Sequence, residues 1–186
     1  MRTRHRTEFE GFVADASLPL LRTAFLLVND LGEAEDLVQE VLLRLARSWP
    51  RVGEMDHPLA YARRVLVNEA IDQAQRRSRH RQVVSLDRFP ESGELPDPAA
   101  AREFARVDVR GEVGPALAEL TARQRAAVVL RYWEGLSEAE TAQYLSCSVG
   151  TVKSTTARGL ARLRALLDPG NPDDPDNEQD EAVSLP

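Results

Sequence analysis

Ser148, Thr151, Lys153, Ser154, Thr155 and Arg158 have the types and spacing to read DNA. Short hydroxyl side chains at a helix start can approach base edges in a major groove. Basic residues behind them can reach phosphates or guanine. This chemistry is binding. The sequence spells no nucleophile with a neighbouring base, no phosphate-cradling loop and no metal-ligand cluster, so neither an enzyme nor a cofactor is expected. The histidines, His5, His57 and His80, are scattered, and the single Cys147 excludes an internal disulfide and a cysteine-rich zinc site.

Two helices must position those six side chains. Ser137 and Glu140 form an S-x-x-E capping box, so one helix begins there. Leu136, Thr141, Ala142 and Leu145 can face one way on it. Ser146-Cys147-Ser148 breaks the pattern, and Ser148 can cap a second helix. On that helix Val149, Val152, Thr156, Leu160, Leu163 and Leu167 make an inward stripe. Gly150, Thr151, Ser154, Thr155 and Arg158 are left outward, with Lys153 beside them. Alone, the pattern fits a DNA-binding helix-turn-helix or a helical hairpin with a solvated face. Upstream, Thr121-x-x-Gln124 is a second capping box, and Gly135 can end its helix in a left-handed conformation.

A second set of residues stands out in the first half. Asp30 offers a cap for a helix over 33–48, whose apolar residues Ala34, Leu37, Val38, Val41, Leu42 and Leu45 step by three, one, three, one and three. The opposite side carries Asp36, Gln39, Glu40 and Leu43. A leucine amid acids fits either a partner-binding face or a solvated face with one stray apolar residue. Trp49-Pro50 is expected to end this helix, with a loop over Pro50–His57. Pro58 then opens a long helix over 59–79. From Leu59 to Arg88 seven arginines face Glu69, Asp72 and Asp87, a net of +4. That basic strip suits phosphates. Before these elements, residues 7–28 have helical spacing with an expected break at Ser17-Leu18-Pro19, giving two packed helices.

The net charge of −6 argues against a DNA binder until its distribution is considered. The segment Pro169–Pro186 holds six carboxylates (Asp173, Asp174, Asp176, Glu178, Asp180 and Glu181) and no basic residue, so removing it brings the net to zero. Its prolines and low hydrophobicity predict a disordered tail over 169–186. From Thr121 to Leu167 seven basic residues face three acids, again +4. Residues 85–101 lose periodicity and gain prolines, which predicts a linker. Short helices are expected from about Pro98 to Val109 and from Pro115 to Leu120. The expected fold class is therefore all-α, with two small helical domains, 7–82 and 105–168, joined by a flexible linker over 83–104 and followed by the acidic tail. No apolar run of membrane-spanning length and no signal peptide is read, which places the protein in the cytoplasm without membrane contact.

Together the two halves resemble a bacterial RNA polymerase sigma factor of the extracytoplasmic function group. The resemblance rests on AEDLVQEVLLRLAR (34–47), HPLAYARRVLVNEAIDQAQRR (57–77) and LTARQRAAVVLRYWEGLSEAETAQYLSCSVGTVKSTTARGLARLRALL (120–167), in this order and spacing. It implies that Asp36, Gln39, Glu40 and Leu43 bind the β′ clamp helices of core RNA polymerase, the β subunit being a further contact. It implies that the Pro50–His57 loop with Tyr61, Arg64, Asn68 and Asp72 engages the melted non-template strand of the minus-ten element, Arg76 and Arg77 lying on phosphates. It implies that Ser148, Thr151, Lys153, Ser154, Thr155 and Arg158 bind duplex at the minus-thirty-five element, and it admits an anti-sigma factor as a partner. Many members carry arginine where this chain has Thr155, so either the promoter differs there or Arg158 takes a larger share. The alternative is a stand-alone helix-turn-helix transcriptional regulator, which would need a ligand pocket or dimer face in its first half.

Overall fold

Asp30 begins the most strongly amphipathic element. Its backbone is extended (φ −137°, ψ 132°) and its carboxylate accepts the Glu33 amide at 2.8 Å, which caps helix α2, Leu31–Val52. The three-one-three spacing then turns Ala34, Leu37, Val38, Val41, Leu42 and Leu45 inward, and all six are buried. The computed structural model describes residues 3–81 and 113–168. Helices α1 (Thr3–Val28), α2 and α3 (Pro58–Arg81) pack against one another as a three-helix unit. A second unit follows: α4 (Val113–Ala118), α5 (Ala122–Val128), a π-helical turn (Val129–Trp133), α6 (Glu138–Tyr144) and α7 (Val149–Leu167). Every regular element among the described residues is helical, as expected. The linker, the acidic tail and the short helix expected near Pro98–Val109 fall outside those residues.

Two proline-based expectations are corrected. Helix α1 runs unbroken through Pro19. The ring removes the amide that would bond to Asp15, a loss of roughly 3 kcal/mol inside a helix. Ala16, Leu20, Leu21 and Ala24 flank the proline and are all buried, so continuity keeps both halves of the stripe in register. Helix α2 likewise runs through Pro50 to Val52. Trp49 is 3% exposed, its ring 5.1 Å from Phe9 and 4.9 Å from Phe12, and Val52 is fully buried. These contacts hold the last turn helical, so the loop shortens to residues 53–57.

Helix α1 also corrects the expectation that no segment could span a membrane. By length and composition Arg4–Val28 is apolar enough to do so. Its apolar residues serve a core instead: Leu20, Thr23 and Ala24 are fully buried against α2, α3 and the second unit.

In the second unit the chain is punctuated by caps. Thr121 and Gln124 form the reciprocal capping box at α5, and Ser137 and Glu140 form the one at α6. Between them the helix widens into the π-helical turn, with the Glu134 amide donating to Val129 O at 3.0 Å. Gly135 then takes φ +67°, a left-handed conformation that a Cβ would strain. Gly159 is needed for a different reason: a Cβ there would lie 3.0 Å from Val128, so α7 crosses α5 at close range. The inward stripe of α7 is partly corrected. Val152, Thr156 and Leu163 are buried, while Val149 and Leu167 at its ends are exposed.

Replacing Trp49 by alanine should lower unfolding free energy by about 3–5 kcal/mol, the usual loss for a buried large aromatic. Urea denaturation followed by circular dichroism checks this; a loss under 1 kcal/mol would mean that the Phe9–Phe12–Trp49 cluster does not hold the end of α2.

Candidate functional site

The seam that buries one side of α2 leaves the other side outside. Asp36 and Glu40 are exposed, Gln39 is half-buried, and Leu43 is 64% exposed. The four line one shallow cleft with Arg44 and Arg47. Glu40 accepts the Gln73 side-chain amide from α3 at 3.1 Å, and Arg44 lies 3.9 Å from the Glu69 carboxylate. The result is an apolar knob with a charged rim, an arrangement common where one protein anchors on another.

Helix α3 presents the second surface. Arg64 and Asp72 are exposed, and Asn68 is half-buried. Tyr61 packs partly against the core, so less of its ring is open than the sequence suggested. Arg76 donates to Glu69 at 3.3 Å and Arg77 pairs with Glu33, so in this state both arginines hold carboxylates of their own unit.

The third surface is the first half of α7. Ser148 accepts the Thr151 amide at 3.1 Å, and the two hydroxyl oxygens are 2.9 Å apart. Ser154 donates to Thr151 O, and the Arg158 guanidinium donates to Ser154 O, each at 3.2 Å. Lys153 lies 3.5 Å from Glu138. Thr155 is half-buried, against the expectation of an outward position, because α3 and α5 bring Ile71 and Arg123 beside it. Thr155 shares a small cavity with Thr151, Leu145, Ile71 and Arg123. Arg123 was not singled out from the sequence; its place in a capping-box segment carried no sign that α5 would bring it beside Thr151 and Thr155. Glu134 was likewise counted only as an acid, yet its side chain is 9% exposed and touches two helices of the first unit.

Burial lowers the Arg125 pKa and raises that of the Tyr144 hydroxyl. Arg125 spends its charge on the carbonyls of Leu27 and Ala118, at 2.6 and 2.7 Å.

Residues 13–80 match sigma-70 region 2, and residues 110–163 match sigma-70 region 4. The RNA polymerase sigma-E factor of Streptomyces coelicolor is 39% identical over 160 residues, 86% of each chain. The ECF RNA polymerase sigma factor SigL of Mycobacterium tuberculosis is 36% identical over 150 residues, 80% of this chain and 82% of that one. The chain belongs to the extracytoplasmic function sigma factors. In structure it is similar to the sigma factor RpoE solved in complex with the anti-sigma factor NepR from Bartonella quintana. The TM-score is 0.62 at 26% identity, over 88% of this chain and 98% of that one. In this sigma factor the acidic face of α2 and the exposed side of α3 fall within the region 2 match, and the α6–α7 hairpin falls within the region 4 match.

The hairpin of this sigma factor has an acid-sensitive start. Hydrogen bonds from the Ser137 side chain and backbone hold the Glu140 carboxyl below the usual glutamate range. A depressed carboxyl stabilises the fold above its unfolded value, and that contribution is lost as pH falls through the folded one. Glu140→Gln should therefore flatten the fall of stability below about pH 4.5. Urea midpoints measured from neutral to acid pH for both proteins check this, and parallel curves would remove Glu140 as a cause.

Proposed function

We propose that this sigma factor docks on core RNA polymerase, directs it to promoters and helps to melt them. The observation that carries this reading is Leu43, an exposed leucine ringed by Asp36, Gln39 and Glu40, on the same unit as the arginine-bearing α3. The clamp helices of β′ are the partner for that face, and the β subunit is a second contact. Polymerase supplies the catalytic site, so the action of this chain is positional and takes place in the cytoplasm, where transcription occurs.

Residues 148–158 then hold the minus-thirty-five duplex. Lys153 serves as a phosphate contact. Thr155 cannot form the bidentate guanine contact that an arginine makes, so Arg158 carries more of the discrimination. At the other end, the loop over 53–57 and Tyr61, Arg64, Asn68 and Asp72 capture bases of the non-template strand, with Arg76 and Arg77 exchanging their carboxylates for phosphates. Capture of an extruded base offsets the few kcal/mol of unstacking. A ring such as that of Tyr61 contributes roughly 1–3 kcal/mol where a base stacks on it. The NepR-bound neighbour supports an anti-sigma factor as a further partner. A stand-alone regulator would not need the α2 face.

Transcription in vitro with core polymerase and genomic fragments tests the reading as a whole; promoter-specific transcripts are expected only when the protein is present, and none in its presence would overturn it. Leu43→Ala and Asp36→Ala should each weaken core binding tenfold or more, about 1.4 kcal/mol, while leaving stability within about 0.5 kcal/mol because both sites are exposed. Fluorescence anisotropy against labelled core measures the first and urea denaturation the second. Unchanged core affinity would place the docking face elsewhere.

For the duplex end, Lys153→Ala should weaken binding alike on all sequences and reduce the salt slope by about one. Arg158→Ala should relax preference at one base pair by about 1–3 kcal/mol. Titrations of promoter and scrambled duplexes at several salt concentrations separate the two; identical behaviour of the variants would refute the division of roles.

A further inference from the structure

The surfaces assigned above to melted and duplex DNA face each other. Arg64 of α3 opens onto a cleft whose other wall is Ala139, Gln143, Ser146, Cys147 and Ser148 of the helix-turn-helix. Two turns along α3, Ile71 shares its cavity with Thr151 and Thr155 of the recognition helix. Helix α3 packs on α5 and α6, and α1 packs on α4, α5 and the π-helical turn.

The joint is fastened by polar groups. Glu134 accepts the hydroxyl of Thr23, which is fully buried in α1. The same carboxylate lies 3.0 Å from the Arg63 guanidinium of α3, the two side chains being 9% and 18% exposed. Arg125 reaches back to Leu27 O at the end of α1. Arg63 also faces Tyr144 of α6. Each of these links runs between the two units, and Glu134 alone reaches two helices of the first.

We propose that the Glu134 contact with Thr23 and Arg63 is a latch that holds the free chain closed, with its two DNA-reading surfaces turned onto each other, until another partner separates them. A duplex on α7 and a single strand on α3 cannot both enter while Arg64 and Ile71 of α3 line the same clefts as the start of α7. An ion pair suits a reversible joint: its two charges are hydrated again when the units part, so opening leaves no large apolar scar at that point. The docking itself does not depend on the sigma reading. Only its consequence for DNA does.

Glu134→Gln and Arg63→Gln test this in the full chain. The second variant removes a positive charge, so without opening it should bind DNA more weakly. Both should enlarge the radius of gyration in X-ray scattering and speed amide exchange in α1 and α3 by about tenfold, with helical content retained. Both should also bind a fluorescein-labelled 40-base-pair duplex of arbitrary sequence about tenfold more tightly at low salt. The charge swap Arg63→Glu with Glu134→Arg, which keeps net charge, should restore the closed values and controls for misfolding. An unchanged radius and exchange in both single variants would overturn the latch. Opening with unchanged or weaker DNA binding would overturn its inhibitory role. Neither readout uses polymerase, so absence of transcription would count against the proposed function and leave this test intact.

Discussion

The burial of one seam of α2 is the constraint from which the rest of the first unit follows. Leu37, Val38, Val41 and Leu45 are each no more than 1% exposed, held between α1 and α3. At 3.6 residues per turn, burying that seam turns Asp36, Glu40 and Leu43 to the other side. Rotating α2 to hide Leu43 would expose the seam. At roughly 1.5–3 kcal/mol for each large apolar side chain, the seam far outweighs one leucine. The exposed face is thus held in shape by the buried seam on the other side of the helix. The same seam sets α3 beside α2, which places Arg44, Glu69 and Arg76 within reach of one another.

The second unit is held by a different means. Its helices α4, α5 and α6 are six or seven residues long, too short to be stable alone. Capping replaces length. Thr121, Ser137 and Ser148 each accept an amide from the first turn of the helix that follows, each saving about 1 kcal/mol that an alanine would lose. Gly135 and Ser146, both at positive φ, reverse the chain between these caps. Helix α7 therefore begins at a fixed residue and angle, and a shift of one residue would turn Thr151 and Ser154 to another side of it.

Much of this was legible in the sequence because it is local. Both capping boxes, the Ser148 cap, the Asp30 cap and the Gly135 stop depend on residues within a turn of each other, and the α2 seam depends only on period. What failed to show was set by contacts distant in sequence. Pro19 and Pro50 read as breaks by their own chemistry, yet tertiary packing around Leu20 and Trp49 outweighs them. Thr155 reads as outward on a helical wheel, and only the placement of Ile71 and Arg123 shows it half-covered. Glu134 had no readable signal at all, since its partners Thr23 and Arg63 lie far away in the chain. The apolar content of α1 was underread for a related reason: a helix buried by two units shows less alternation than one buried by a single neighbour.

That double burial bears on how the halves relate. Leu20, Ala24 and Leu27 of α1 belong to the same apolar cluster as Leu117, Leu120 and Leu130 of the second unit. An apolar contact of this kind is non-directional and would tolerate many orientations. The buried carboxylate does not. A charge left in an apolar joint without its partner costs several kcal/mol, so Glu134 admits only arrangements that bring Thr23 and Arg63 to it. Specificity of orientation then comes from the polar groups, while most of the attraction comes from the apolar ones. A partner that separates the units must therefore overcome the apolar attraction and also break the Glu134 contacts with Thr23 and Arg63.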